Sequence, residues 1–108
     1  MIHFVSNHGE ETFTLEDNQW KIIKNFIFFL DDHEDIPILC DDTRIDIDLY
    51  NGFCLSSRTT KYISEIIENS VRNRKIEDFK KEFQVSSLSP ILNFSDFLRY
   101  SKGLQTRL

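Results

Sequence analysis

Residues 36–55 read IPILCDDTRIDIDLYNGFCL, and this stretch carries the strongest secondary-structure signal in the sequence. Ile45, Ile47 and Leu49 recur at every second position with polar residues between them, as in a strand that buries one face. Asn51-Gly52 follows, and this dipeptide favours the type I′ turn of a β-hairpin. The stretch therefore predicts a three-stranded meander over 36–40, 44–50 and 53–55.

Helical periodicity flanks this meander on both sides. Residues 15–30 carry apolar side chains at three- and four-residue spacing, behind an approximate capping box of Thr14 and Asp17. A second helix is expected to begin after Ser56 or Ser57 and to end near residue 73.

The remaining segments complete a small mixed fold. Ser89-Pro90 begins a last helix, and Gly103 is placed to end it. A short helix is expected over 76–83, a first strand over 2–5, and either a strand or a frayed end over 104–108. The predicted fold class is therefore α+β: one domain over 1–108, in which a small antiparallel sheet with its hairpin around Asn51-Gly52 packs against three to four helices.

The composition is that of a globular chain with a large aromatic core. Of 108 residues, 40% are apolar and ten are phenylalanine, each of which buries a large apolar area. The N-terminus does not resemble a secretory signal, and the longest apolar run, 26–30, is far shorter than a membrane span. Cys40 and Cys54 have no CxxC spacing, so we expect buried or half-buried thiols, with a facing pair on neighbouring strands as the alternative. These features predict a cytoplasmic protein without a membrane partner.

Charge is distributed unevenly along the chain. The net charge is −5, but residues 1–50 carry −9, from twelve acids and three bases, whereas residues 51–108 carry +4, from six acids and ten bases. The acids are densest between residues 31 and 48, where eight of them accompany a single arginine. Such an asymmetry steers a basic partner toward one face of a protein.

The dense acids form the predicted binding site. Asp46 and Asp48 would stand on one face of the predicted strand, about 7 Å apart, where like charges repel. A chain that needed only solubility would intersperse lysine, so we interpret the cluster as a docking surface for the cations of a partner, with a solvated face as the alternative. The predicted partner-binding residues are Asp31, Asp32, Glu34, Asp35, Asp41, Asp42, Asp46, Asp48 and, as an aromatic anchor, Tyr50.

Patterns that indicate catalysis or a cofactor are sparse. The chain has neither a glycine-rich phosphate loop nor a zinc-ligand spacing, and an EF-hand loop counted from Asp46 would need glycine where Asn51 stands. Asp48 followed by Asp78-Phe79-Lys80 has the form of a metal-dependent nuclease signature, which leaves a metal-dependent hydrolase as the least favoured alternative. The basic segment 72–75 is followed by acids in an acidic chain, so nucleic acid is not expected as a partner. We expect no catalytic residue, no metal and no cofactor.

In size, acidity and general architecture the whole chain resembles the immunity proteins of bacterial toxin–immunity pairs, including those of contact-dependent growth inhibition systems. The residues that carry this resemblance are the eight acids from Asp31 to Asp48, with Tyr50 beside them. The resemblance implies tight binding to one cognate toxin, often a basic nuclease, whose active site or substrate groove the protein covers. The carboxylates would then take the place of the phosphate backbone.

The leading prediction is therefore a non-enzymatic inhibitor that occludes a basic toxin domain through an acidic face. A second prediction, from another class, is a small structural or adaptor protein of a phage or bacterial complex, which assembles with itself or with a larger complex.

Overall fold

The computed structural model describes residues 1–7, 11–49 and 52–107, and these form an α+β fold. In chain order the elements are β1 (Ile2–Ser6), β2 (Thr12–Leu15), α1 (Asp17–Asp32), α2 (Asp41–Leu49), β3 (Cys54–Leu55), α3 (Ser57–Arg72), α4 (Lys75–Glu82), α5 (Ser89–Ser101) and β4 (Leu104–Arg107). The predicted fold class is confirmed, and strands β1, β3 and β4 correspond to the predictions over 2–5, 53–55 and 104–108. Strand β2 was not predicted, and the predicted strands over 36–40 and 44–50 are absent from the sheet that the described residues form.

The sheet is antiparallel, in the order β2-β1-β4-β3. Its C-terminal strand, β4, lies between β1 and β3, with Leu104 opposite both Ser6 and Leu55. On its other side β1 pairs with β2, where Phe4 faces Phe13. The two ends of the chain therefore supply the two central strands, and Phe4 and Leu104 are fully buried there.

The prediction for residues 44–50 is wrong, because helix α2 covers 41–49 and replaces the central strand of the meander. A helix turns by about 100° per residue, so Ile45 and Ile47 point in nearly opposite directions instead of sharing a face. Ile47 is 1% exposed, whereas Ile45 is 53% exposed. Asp41 and Asp42 lie in the first turn, where carboxylates stabilise the positive end of the helix dipole. Alternation over three apolar residues indicated a strand, but the acids of the first turn and one buried isoleucine favour the helix.

The rest of the predicted meander changes accordingly. Residues 36–40 form no strand. Gly52 has a φ of +75°, which glycine adopts without strain, while Asn51 lies outside the described residues. The return strand is present at Cys54–Leu55, but it pairs with β4. The prediction of a hairpin around Asn51-Gly52 is wrong, because residues 41–49 before it are helical.

Capping chemistry sets the starts of the long helices. The hydroxyl of Ser56 accepts a hydrogen bond from the Thr59 N–H at 3.2 Å, which confirms the predicted start of α3. Helix α1 is instead preceded by Glu16, whose N–H donates to the side-chain oxygen of Gln19 at 3.0 Å. The predicted cap at Thr14 is wrong, since Thr14 lies within β2.

The end of α5 depends on a glycine. Gly103 has a φ of +100°, and a Cβ at this position would lie 2.9 Å from the carbonyl oxygen of Leu55. Its N–H donates to the Thr60 hydroxyl of α3 at 3.1 Å. Gly103 therefore ends the helix as predicted and lets the chain turn directly into β4.

Two aromatic clusters fill the core. In the first, Phe4 of the sheet contacts Trp20 of α1 and Phe94 of α5, with ring centroids 5.2 and 5.3 Å apart. In the second, Phe79 of α4 contacts Phe26 of α1 at 4.7 Å. These contacts join the sheet to the helices around it, and each aromatic pair adds about 0.5–1.5 kcal/mol to the burial of its rings.

Candidate functional site

Helix α2 presents an acidic surface with an isoleucine at its centre. Ile47 packs into the core, so the opposite side of the helix faces solvent. Helical geometry places Ile45 near the middle of that side, with carboxylates around it. We call this surface the α2 face, and it consists of Asp41, Asp42, Ile45, Asp46 and Asp48, all of which are exposed.

A loop over residues 33–40 leads into α2 and is open to solvent along most of its length. Glu34 and Asp35 add two exposed carboxylates, Ile36 is 80% exposed and Ile38 is 52% exposed. Together with Ile45, these residues place three exposed isoleucines within ten residues of chain. Apolar side chains rimmed by charged groups are typical of protein contact surfaces.

Asp31 differs from the other predicted binding residues, because its side chain is completely buried at the end of α1. Its Oδ1 accepts hydrogen bonds from the Tyr62 hydroxyl at 2.9 Å and from the Ile38 N–H at 3.2 Å. Arg44 of α2 donates from Nη1 to Oδ2 at 3.0 Å. Donors of the same chain satisfy the hydrogen-bonding capacity of this carboxylate. Asp31 was predicted to bind a partner, but its buried side chain is not accessible to one.

Two further acids are paired with cations of the same chain. Arg44 donates to Asp32 at 2.8 Å, and Lys24 of α1 lies 3.1 Å from Asp48. The Arg44 guanidinium also lies over the Phe28 ring, 4.5 Å from its centroid. Asp32 and Asp48 remain exposed, but these neighbours partly compensate their charge.

The other exposed acids of the predicted site have no cationic partner among the described residues. Within the described part of the chain, no cation forms an ion pair with Glu34, Asp35, Asp41, Asp42 or Asp46. Asp41 and Asp42 have a local cause, since acids stabilise a helix N-terminus. Asp46 lies beyond the first turn, four residues from Asp42, where two like charges repel on a helix. Among the acids of the α2 face that have no described cationic partner, Asp46 is therefore the one that does not stabilise the helix.

Sequence reasoning missed Ile45. It assigned this residue to the buried face of a strand, and only a helical interpretation with Ile47 inward exposes it. The expectation that Asp46 and Asp48 share a strand face is wrong as well, because two residues along a helix turn through about 200°. The proposed anchor Tyr50 lies outside the described residues.

The contacts of Asp31 and Asp32 shift the proton affinities of their neighbours. Burial and then the hydrogen bond to Asp31 raise the pKa of Tyr62 above its ordinary value of 10.0. The hydrogen bond to Asp32 raises the pKa of Arg44 further above its already high value. Tyr62 is thus held neutral and Arg44 charged, which are the forms that donate to these carboxylates.

Both cysteines are exposed, which corrects the expectation of buried or half-buried thiols. The Cys40 carbonyl accepts the Arg44 N–H at 3.0 Å at the start of α2, and its Sγ lies 3.0 Å from the Thr43 hydroxyl. Hydrogen bonding to Thr43 lowers the pKa of the Cys40 thiol. Cys54 is on β3 but Cys40 is not on a strand, so the alternative of a pair on neighbouring strands is wrong as well.

Neither a metal site nor a membrane span is found within residues 1–7, 11–49 and 52–107. There, no three or more histidine, cysteine, aspartate or glutamate side chains are grouped so that they could hold a metal ion. Asp48 lies on α2 and Asp78 is exposed on α4. Nor does any helix in these ranges have the length and apolar character needed to cross a membrane.

Comparisons with known proteins returned no significant match to a family model, a curated protein or a solved structure.

Proposed function

We propose that this chain is a binding protein that docks its α2 face on a basic protein partner. The observation that carries the proposal is one exposed isoleucine, Ile45, surrounded by carboxylates, of which Asp42 and Asp46 form no ion pair with any described residue. The resemblance described above suggests the kind of partner: a toxin domain, which this chain would neutralise as an immunity protein by covering the active site or substrate groove.

Charge and apolar exposure on the α2 face both favour contact with a basic partner. Unpaired carboxylates one helical turn apart repel, and cations of a partner would remove that repulsion while accelerating the encounter. Ile45 would supply apolar contact area at the centre of the interface, as the dry core of a protein–protein contact requires. The exposed Ile36 and Ile38 of the preceding loop would extend that area.

Three of the predicted partner-binding residues are not included in the proposed docking surface. Asp31 is buried, and Asp32 and Asp48 already have cationic neighbours. The proposed docking residues are therefore Glu34, Asp35, Asp41, Asp42, Ile45 and Asp46, and Tyr50 stays a prediction.

The test is capture of the partner from extracts of the native cell, followed by purification of that partner and titration with the chain. The variant Asp42→Lys/Asp46→Lys should retain the fold and weaken binding at least about a hundredfold, because two attractive contacts become repulsive. Asp48→Lys is avoided, since it would place a lysine beside Lys24. The matched control is Glu65→Lys/Glu82→Lys, which changes the net charge equally at exposed positions of α3 and α4.

If both double variants lost binding equally, the loss would be explained by net charge alone. That result would contradict specific docking through the α2 face. Undiminished binding by the Asp42→Lys/Asp46→Lys variant would exclude that face. The toxin assignment needs a further result: co-expression of the chain must relieve growth inhibition by the captured partner, and the purified complex must lack the partner's activity.

Two measurements separate the alternatives. Self-association that rises with concentration when no partner is present would favour the adaptor prediction. A rise in melting temperature on addition of Mg²⁺ or Mn²⁺ would favour the metal-dependent hydrolase, because a ligand that binds only the folded state stabilises it.

A further inference from the structure

We infer that the buried Asp31 carboxylate is a positioning residue: it fixes the 33–40 loop and α2 against the body of the protein as one element that detaches locally when this carboxylate is lost. That this element carries a docking surface rests on the proposed function. The attachment itself is a property of the free chain.

Apolar burial attaches this segment only weakly. Between residues 33 and 48, the buried side chains are Leu39 and Ile47. Helix α3, of comparable length, buries six side chains, among them Ile63, Ile66 and Ile67. A segment with few buried apolar contacts opens at a lower free energy than the core.

Asp31 compensates with polar contacts from three other parts of the chain. Its carboxylate accepts from Tyr62 of α3 at 2.9 Å and from Arg44 of α2 at 3.0 Å. The N–H groups of Ile38 and Leu39 in the loop lie 3.2 and 3.5 Å from Oδ1. One buried anion at the end of α1 thus joins the loop, α2 and α3, and charge-assisted hydrogen bonds are strongest where water is excluded.

The other polar contacts of α2 are exposed. Asp32 and Asp48 are 60% and 59% exposed in their ion pairs with Arg44 and Lys24. Solvent screens such pairs, and each contributes little to stability. The position of α2 therefore depends on Asp31 far more than on its neighbour Asp32, although both carboxylates bind the same arginine.

Hydrogen–deuterium exchange of the free 108-residue chain tests this inference. Asp31→Asn keeps the shape of the side chain but removes its charge, and we expect amides of 33–49 to exchange roughly a hundredfold faster, with α3, α5 and β1 almost unchanged. Asp32→Asn is the matched control and should accelerate the same amides less than about fivefold. Tyr62→Phe removes one donor to Asp31 and should give an intermediate increase confined to the same segment.

Uniform acceleration over the whole chain in Asp31→Asn would overturn the inference, because Asp31 would then be an ordinary core residue. Unchanged exchange in 33–49 would also overturn it, as would equal effects of Asp31→Asn and Asp32→Asn. If Asp31→Asn does not fold, Tyr62→Phe decides by the same criterion of locality.

Binding distinguishes this inference from the proposed function. Undiminished affinity of the Asp42→Lys/Asp46→Lys variant for the captured partner would refute the docking role of the α2 face, and local opening of 33–49 in Asp31→Asn would still leave the positioning role standing. Weakened binding by that double variant together with unchanged exchange in Asp31→Asn would refute the positioning role alone.

Discussion

Helix α2 and helix α4 have similar lengths, but they are held in the fold by different interactions. Helix α4 inserts Phe79, which is fully buried, against aromatic rings of α1. Among the described side chains of α2, Ile47 is the buried apolar one, and Arg44 donates to the buried carboxylate of Asp31. Ring packing therefore holds α4, whereas one buried isoleucine and hydrogen bonds to one buried anion hold α2.

This difference has a consequence for recognition. Because hydrogen bonds to Asp31 help to hold α2, this helix does not need to bury both of its isoleucines. Ile47 is buried, and Ile45 remains exposed. The buried hydrogen bonds give α2 a defined position, which lowers the entropic cost of binding a partner.

The largest expected effect on stability comes from removing the buried aromatic ring that holds α4. Phe79→Ala should lower the free energy of unfolding by about 3–5 kcal/mol, because it leaves a cavity where the ring contacts Phe26 and Phe83. Ile45→Ala on the exposed face of α2 should change it by less than about 0.5 kcal/mol. Urea unfolding followed by circular dichroism measures both. A comparable loss in the two variants would mean that Ile45 belongs to the core.

A smaller effect is expected from alkaline pH at the Asp31 network. The pKa of Tyr62 is raised in the folded protein, so its neutral hydroxyl contributes fully below the unfolded value of 10.0. Above that value the unfolded chain releases the phenolic proton while the folded protein retains it, and stability falls as pH rises. The free energy of unfolding, measured from about pH 8 to 11, should therefore decline more steeply in the wild type than in Tyr62→Phe. If the free energy of unfolding fell equally with pH in both proteins, the hydroxyl of Tyr62 would not contribute to stability through Asp31.

The smallest effect is expected at the rim of α2. Asp48→Asn breaks the pair with Lys24 and should cost less than about 1 kcal/mol at low salt, because Asp48 is exposed. The difference from the wild type should vanish in about 1 M salt, which screens exposed charges. A cost that exceeds 2 kcal/mol (roughly twice the upper value for exposed pairs) and persists in salt would show that surface ion pairs, rather than Asp31, hold this helix.

Sequence patterns predicted the elements whose signals are local and long. The start of α3 at Ser56 and the end of α5 at Gly103 follow from hydroxyl capping and from the conformational freedom of glycine. The predicted meander was wrong because residues 45, 47 and 49 satisfy a period of two over too short a run to exclude a helix. Strand β2 was missed because its threonines also suit a helix N-cap.

The candidate site divides in the same way. The density of acids between residues 31 and 48 is plain in the sequence, but their roles are not. Asp31 and Asp32 are adjacent and chemically identical, yet one is buried and the other is 60% exposed. No sequence pattern separates them, because the difference arises from where α1 ends relative to Tyr62, thirty-one positions away.

The amino-acid sequence by itself determined an α+β chain with an aromatic core and an acidic first half, because composition and helix-end chemistry act over a few neighbouring residues. Tertiary structure alone decided that 41–49 is helical, that Ile45 faces outward and that Asp31 is an internal anchor. The physical reason is that these outcomes depend on one buried isoleucine and on one carboxylate shared by α2, α3 and the loop, which come together only when the chain has folded.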